Sequence, residues 1–162
     1  MTTDKLNHAI TLTRILLNEH NLIGWGVDTN RRNRSFGLCS YRTKTISFSS
    51  ILIPNCTEEA IWNTVTHEVA HAIAGHSAGH GYAWQRIHKQ LGGNAERCGG
   101  DDNYIGGNNG RKELLQSTAK YIGRCPNGHE VFKFRIPKND HSCGKCSPRF
   151  DRKHLITYSL NV

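Results

Sequence analysis

His67, Glu68 and His71 occur in the order His-Glu-x-x-His, a spacing that can bring two imidazoles and a carboxylate together. On a helix, residues four apart project from the same face, so His67 and His71 can hold one metal ion. Glu68 adjoins a ligand without being one, and its carboxylate can reach a metal-bound water. This short stretch therefore predicts two metal ligands and a general base.

A third ligand is needed, because a catalytic zinc takes three protein ligands and keeps a fourth position open. The spacing of the metzincin motif does not fit, because that motif has its third histidine ten positions after the first, where this sequence has Ser77. His76 follows the end of the predicted helix too closely to turn back easily, and His88 is interpreted as a surface residue. His80 lies between two glycines, whose flexible backbone can aim an imidazole at the other two. We predict His80 as the third ligand, with His76 as the main alternative.

The chemistry expected of such a site is hydrolysis. Zinc lowers the pKa of a bound water to about 7 and polarises the carbonyl that is attacked. Glu68 would take the proton from that water and later deliver it to the leaving amine. The alternatives are a purely structural zinc site and a chance occurrence of the motif in a helix.

A second set of metal-type residues lies near the C-terminus. Cys143 and Cys146 form a Cys-x-x-Cys pair, which is half of a zinc-ribbon site. A partner pair is expected about fifteen to twenty residues upstream, where Cys125 is followed by His129. We predict a closed structural zinc site with these four ligands. His141 is the alternative fourth ligand, and free thiols in a basic tail are the alternative to any site.

The remaining cysteines are Cys39, Cys56 and Cys98, and the first two have no second metal-type residue nearby. We interpret Cys39 and Cys56 as small buried thiols and Cys98 as an incidental thiol. The sequence contains neither an apolar run of about eighteen residues nor an apolar secretion signal at its start. A cytoplasmic protein with reduced thiols and no membrane partner is therefore expected.

Positive charge is concentrated in the C-terminal third. The net charge of the chain is +8, and residues 111–162 carry eleven Lys or Arg against four Asp or Glu. Such a basic segment favours polyanionic partners, DNA above all. The candidate contacts, drawn from a larger pool of basic residues, are Lys133, Arg135, Lys145 and Arg149.

Hydrophobic periodicity predicts both helices and strands along the chain. The predicted helices are 5–20, 57–75 and 81–91, with Thr57 as the N-cap of the second and Gly75 as its C-terminal stop. The predicted strands are a short one at Trp25 and Val27, then 36–41, 45–49, 131–136 and 154–158. The segment that follows the third helix is rich in glycine and polar residues and cannot build a core. We predict a main domain over 1–98, a glycine-rich linker or substrate-side loop over 99–118, and a zinc-ribbon-like subdomain over 119–162.

As a set, these residues resemble the SprT-like metalloprotease family, which includes Spartan. The resemblance rests on Tyr41–Ile46, His67–His71, Gly79-His80-Gly81-x-x-Trp84 and the C-terminal cysteines. The Gly-His-Gly-x-x-aromatic element is specific to this family among zincins and supports His80. The resemblance implies an α+β, zincin-like domain, with helices packed on a small antiparallel sheet and a catalytic Zn²⁺. For Spartan-type members it also implies cleavage of proteins crosslinked to DNA. It also implies that the ribbon helps to bind DNA, although His129 stands where the family's ribbon has cysteine.

The expected function is therefore that of an HExxH zinc metalloendopeptidase, associated with DNA or the nucleoid. Its substrates would be DNA-bound or DNA-crosslinked proteins, which places it in DNA–protein crosslink repair. One alternative is a non-catalytic nucleic-acid-binding zinc protein that uses the histidines only for folding. The other is a general peptidase that is not coupled to DNA.

Overall fold

A computed structural model describes residues 2–97 and 99–162, so the interpretation of Cys98 lies outside the described residues. The chain forms an α+β fold with two compact units, one ending at Gly110 and the other running from Arg111 to Val162. Its helices and strands are α1 (Thr2–Glu19), β1 (Gly26–Asn30), β2 (Gly37–Ser40), β3 (Thr45–Ser49), α2 (Glu58–Ala74), α3 (Tyr82–Gln90), α4 (Gly107–Thr118), β4 (Tyr121–Arg124), β5 (Glu130–Lys133) and β6 (Thr157–Leu160).

The sheet of the first unit has the strand order β1-β3-β2. β2 and β3 are antiparallel, with Cys39 opposite Ile46, but β1 and β3 are parallel, with Val27 opposite Ile46. The prediction of a purely antiparallel sheet is therefore wrong for one of the two pairs. The hairpin follows from a short turn between two alternating runs, whereas the position of β1 depends on how the loop before β2 crosses the sheet.

The core of the first unit lies between this sheet and the helices α1 and α2. Ile46 and Phe48 project from β3 and are fully buried against a cluster that includes Ala9, Val65 and Val69. Alternation along β3 places both side chains on one face, as the sequence predicts. Each large side chain buried in this way stabilises the fold by about 1.5–3 kcal/mol. This packing holds α2 against the sheet along its length.

Helix α2 begins and ends at the residues that the sequence indicates. Thr57 is its N-cap, and the Thr57 hydroxyl accepts a hydrogen bond from the Ala60 backbone N–H at 3.2 Å. Glu58 and Glu59 lie in the first turn, where their charge complements the helix dipole. Gly75 ends the helix with a φ of 83°, a left-handed conformation that favours glycine. The helix is thus fixed at both ends.

The segment 99–118, predicted as a linker or loop, contains regular structure. Helix α4 occupies its second half, and a 3-10 turn lies at Asp101–Asn103. No residue of α4 is buried, so the helix shows no apolar stripe from which periodicity could find it. The C-terminal end of α4 is held by a residue much later in the sequence. The Asn161 side-chain amide donates hydrogen bonds to the backbone carbonyls of Gln116 and Ala119.

The second unit is built on an antiparallel sheet with the strand order β5-β4-β6. Ile122 of β4 is buried and lies opposite Phe132 of β5 and Ser159 of β6. The predicted strands are present with shifted ends: β5 ends at Lys133, and β6 begins only after a 3-10 turn at Arg152–His154. A sheet this small leaves little apolar surface to bury, which favours stabilisation by metal.

Over 2–97 and 99–162, none of the helices combines the length and the apolar character that a membrane crossing requires.

Candidate metal centres

The first metal-type cluster joins the C-terminal half of α2 to the turn before α3. The Nε2 atoms of His71 and His80 are 3.0 Å apart, and those of His80 and His67 are 3.2 Å apart. Gly79 has a φ of 50°, a backbone conformation that is strained for any residue with a side chain. A Cβ at Gly81 would lie 3.0 Å from the Ala78 carbonyl oxygen. These two glycines let the chain turn sharply enough for His80 to face α2.

The donor set fits a zinc ion. Zinc–nitrogen bonds are about 2.0–2.1 Å, so nitrogen ligands on a tetrahedral zinc lie about 3.3 Å apart, close to the distances between these histidines. Burial, followed by the neighbouring imidazoles, lowers the pKa of His67 to about 3 and that of His71 to about 4. Burial, followed by Arg97, lowers the pKa of His80 as well. All three rings are therefore neutral at pH 7, as ligands must be.

Glu68 lies beside this cluster and is 7% exposed. Burial raises its pKa to about 8, against the opposing effect of a hydrogen bond from the Cys39 backbone N–H. Gly37 faces the same side chain: a Cβ there would lie 2.6 Å from Glu68 Cγ and 2.7 Å from Oε1. The carboxylate is thus enclosed by β2 on the side opposite its own helix. The sequence offered no signal for this role of Gly37.

Trp84 packs against the three histidines of the cluster and is fully buried. Its ring centroid lies 4.7 Å from those of His67 and His80, and 5.4 Å from that of His71 in a stacked arrangement. The indole Nε1 donates to the His67 backbone carbonyl at 3.3 Å. One aromatic side chain therefore contacts all three imidazoles, which fixes their rings relative to one another.

His76 and His88 occupy different places. The ring of His76 packs edge-on against Tyr41 at 5.2 Å, outside the group formed by the other three histidines. His88 is fully buried, so its interpretation as a surface residue is wrong. Its Nε2 lies 3.1 Å from the Thr66 hydroxyl. His88 is four residues after Trp84, and this helical spacing is the signal that could have placed it in the interface.

The cluster opens into a cleft with a volume of about 400 Å³. It is lined by residues just before and within the edge strand β2, by residues of α2, and by Glu96, Arg97 and Asn103, which follow α3 in the sequence. Arg34 and Phe36 also line it. Sequence reasoning missed these lining residues, because they come from segments that are far apart in the sequence.

Comparison with protein families gives a match between residues 4–103 and the SprT-like family. The chain belongs to the SprT-like family. The match confirms the resemblance and indicates a domain of metalloprotease type. No curated protein and no solved structure gives a significant match. The matched SprT-like region contains the histidine cluster and Glu68, and it ends before the second unit begins.

The second metal-type cluster of this SprT-like chain lies wholly in the second unit. Cys125, His129, Cys143 and Cys146 place their ligand atoms within 4.8 Å of one another. Cys125 Sγ is 3.7 Å from Cys146 Sγ, and His129 Nδ1 is 3.2 Å from Cys146 Sγ and 3.6 Å from both Cys125 Sγ and Cys143 Sγ. Tetrahedral zinc with bonds of about 2.3 Å to sulfur separates its sulfurs by about 3.8 Å and a sulfur–nitrogen pair by about 3.5 Å. The four donors therefore fit zinc.

Backbone N–H groups surround the sulfur atoms of this cluster. The His129 backbone N–H donates to Cys125 Sγ at 3.3 Å. Burial opposes ionisation of the Cys143 thiol, but backbone hydrogen bonds from Cys146 and Lys145 outweigh it and lower the pKa of the thiol to about 6. His141, the alternative ligand, stands outside the group, with its Nδ1 2.6 Å from the Asn139 carbonyl oxygen.

The candidate nucleic-acid contacts also lie in the second unit. Lys133, Arg135, Lys145 and Arg149 are all exposed. Phe150, beside Arg149, is a large apolar side chain that is 60% exposed. An exposed aromatic ring next to a guanidinium is a surface on which an unpaired base can stack.

Proposed function

We propose that this SprT-like protein is a zinc metalloendopeptidase. The observation that carries the proposal is the convergence of three neutral imidazole Nε2 atoms beside a buried carboxylate, on the wall of an open cleft. His67, His71 and His80 would hold the ion and leave a fourth coordination position free. A purely structural site would be closed by a fourth protein ligand, and among the described residues no other metal-type side chain joins this group.

A bound zinc ion supplies Lewis-acid chemistry, lowering the pKa of a water molecule to about 7 and polarising the scissile carbonyl. A bound cation favours the ionised form of a neighbouring carboxyl group and so opposes the rise in pKa that burial causes. Ionised Glu68 acts as the general base, accepting the proton of the attacking water, and then as the acid that protonates the leaving amine. The side chain adjoins His67 in sequence and lines the cleft. Its enclosure by β2 holds the carboxylate in one place through both proton transfers.

The shape of the cleft suits an extended peptide. β2 is an edge strand, paired with β3 on one side, and its residues 37–39 line the cleft together with Phe36, which precedes the strand. A peptide can add to such an edge as a further strand, with main-chain hydrogen bonds that do not depend on its sequence. A peptide bound in this way would have a scissile bond beside the histidine cluster, which supports cleavage within unfolded stretches of protein.

We further propose that the substrates are proteins bound or crosslinked to DNA, and that the second unit contacts the DNA. The concentration of charge in residues 111–162 supports this, with Lys133, Arg135, Lys145 and Arg149 as candidate phosphate contacts. Phe150 adds a stacking surface for an unpaired base. Zinc at the cysteine cluster would hold the loops that carry two of these basic residues.

The experiment compares cleavage of a DNA-bound protein and of a free unfolded protein, each without DNA, with single-stranded DNA and with duplex DNA. DNA-stimulated cleavage of the bound protein supports the full proposal. Cleavage that is indifferent to DNA indicates a general peptidase, and salt-sensitive DNA binding without any cleavage indicates a non-catalytic binding protein.

The matched variant is Glu68→Gln, which keeps the size of the side chain and removes the base. We expect kcat to fall by about 10²–10⁴-fold, with the metal content per chain unchanged. Retained cleavage by this variant would remove Glu68 from the mechanism.

A further inference from the structure

Strand β2 carries a glycine at a position where its backbone does not require one. Gly37 does not have a positive φ, so any residue could adopt its backbone conformation. It pairs directly with the fully buried Phe48 of β3. A β-branched or aromatic residue is the usual choice in such a strand, and glycine weakens it. The reason for glycine must therefore lie in what faces it.

What faces Gly37 is the side chain of Glu68. A Cβ on Gly37 would lie 2.6 Å from Glu68 Cγ, 2.7 Å from Oε1 and 3.0 Å from Cδ. The closest of these atoms belongs to the middle of the side chain and not to a mobile tip. Because Glu68 is only 7% exposed, it has little free space into which to rotate away.

The same strand also presents a backbone donor to the carboxylate. Hydrogen bonding from the Cys39 backbone N–H lowers the pKa of Glu68, against the rise that burial causes. Alternate N–H groups of an edge strand point away from the neighbouring strand, and so the group at Cys39 is available to α2. Gly37 and Cys39 are two residues apart and lie on the same face of β2. One provides space for the side chain, and the other provides a donor for its charge.

We infer that Gly37 is a positioning residue for Glu68: it lets β2 approach α2 closely enough for the Cys39 N–H to bind and orient the carboxylate. The inference rests on the proposed function for its catalytic consequence, but its structural part can be tested without any activity. A methyl group at position 37 would force either the carboxylate out of place or the strand away from the helix.

The kinetic test is Gly37→Ala, with Gly26→Ala as the matched control. Gly26 is also a strand glycine without a positive φ, and a Cβ there would meet its nearest atom, Thr45 Oγ1, at an ordinary 3.9 Å. We expect Gly37→Ala to lower kcat by about 100-fold, as a displacement near 1 Å can do. KM and the zinc content should stay within about twofold, and Gly26→Ala should match the wild type. Equal kcat for all three proteins overturns the inference.

The second test is a double-mutant cycle on thermal stability, measured on the full-length protein without substrate. Gly37→Ala should lower the melting temperature of the wild type, because its methyl group meets Glu68. In the Glu68→Ala background, where Cγ is absent, the same change should leave the melting temperature equal or higher, since alanine loses less backbone entropy than glycine. An equal loss in both backgrounds shows that the methyl group does not meet Glu68 and overturns the inference.

The two tests separate the failure of each idea. If no condition gives proteolysis but the cycle shows the reversal, the proposed function fails and the contact between Gly37 and Glu68 stands. If Glu68→Gln is inactive and Gly37→Ala is fully active, the proposed function stands and the positioning role fails.

Discussion

The two metal-type clusters differ in what completes them. The histidine cluster offers three donors, a neighbouring carboxylate and a cleft, whereas the cysteine cluster offers four donors of its own, two of them on buried cysteines. Three protein ligands leave a coordination position for chemistry, and four close the shell. The difference also appears in the packing: α2 is held by a core of large apolar side chains, while the second unit has only a small sheet. Metal is thus expected to serve catalysis in one place and folding in the other.

The largest effect expected from this difference is on the fold of the second unit. Cys143→Ser should remove one zinc per chain and unfold this unit, because structural zinc contributes about 10–16 kcal/mol to small domains of this kind. His141→Ala is the control and should keep both zinc ions. Zinc content and the NMR signals of residues 111–162 measure the outcome. Native signals from the cysteine variant would show that the sheet is stable without the metal.

Loss of a ligand from the histidine cluster should lower the activity of the protein and leave the first unit folded. His71→Ala should remove the other zinc and lower kcat/KM by more than about 100-fold, since even changes outside the ligand shell cost 10–100-fold. The protein should stay folded, because the core beneath α2 is unchanged. His76→Ala, at the neighbouring histidine against Tyr41, is the control. Circular dichroism measures whether the variant is folded, and cleavage rates measure its kcat/KM. Unfolding of the first unit in His71→Ala would contradict the proposed difference between the two clusters.

A smaller effect is expected at the indole beneath the three imidazoles. Trp84→Phe keeps an aromatic ring but removes the donor to the His67 carbonyl. We expect zinc affinity at the histidine cluster to fall by about tenfold and the free energy of unfolding to fall by about 1 kcal/mol. Trp62→Phe makes the same chemical change on α2, where the ring packs against the core. Competition with a zinc chelator gives the affinities, and an equal loss in both variants would contradict a specific role for Trp84.

The smallest effect concerns a hydroxyl in each unit. Tyr41 Oη donates to the His71 carbonyl at 3.0 Å, but that carbonyl also accepts from the Gly75 N–H at 3.0 Å. Tyr41→Phe should therefore cost only about 0.5 kcal/mol. The Tyr158 hydroxyl is buried and has no hydrogen-bond partner within the described part of the chain, so Tyr158→Phe should be neutral or stabilising. Urea denaturation measures both, and the reverse order would contradict the hydrogen-bond assignment.

Sequence reasoning succeeds where the geometry is local. The spacing of His67 and His71 defines one face of a helix, and the two glycines around His80 define a turn, so these three could be grouped from sequence alone. The knuckle at Cys143 and Cys146 is local in the same sense. Thr57 and Gly75 likewise mark the ends of α2, because caps depend on backbone groups within one turn.

Sequence reasoning fails where the role of a residue depends on a partner that is distant in the sequence. Gly37 looks like a weak point in a strand until Glu68 is placed opposite it. His88 looks polar and exposed until α3 packs against α2. The parallel pairing of β1 with β3, and the exposed helix α4, leave no periodic signal at all. In each case the missing information is which surfaces meet, and hydrophobic patterning along one element does not contain it.

Both clusters are compact along the chain as well as in space. The histidine ligands all lie between positions 67 and 80, and the cysteine-site ligands lie between positions 125 and 146. Closing so short a loop costs little conformational entropy, and the cost grows only slowly with length. β6, by contrast, reaches β4 from more distant positions along the chain. The histidine set is therefore complete before any strand of the second unit is made, and capture of a metal at either cluster closes a shorter loop than the pairing of β4 with β6 does.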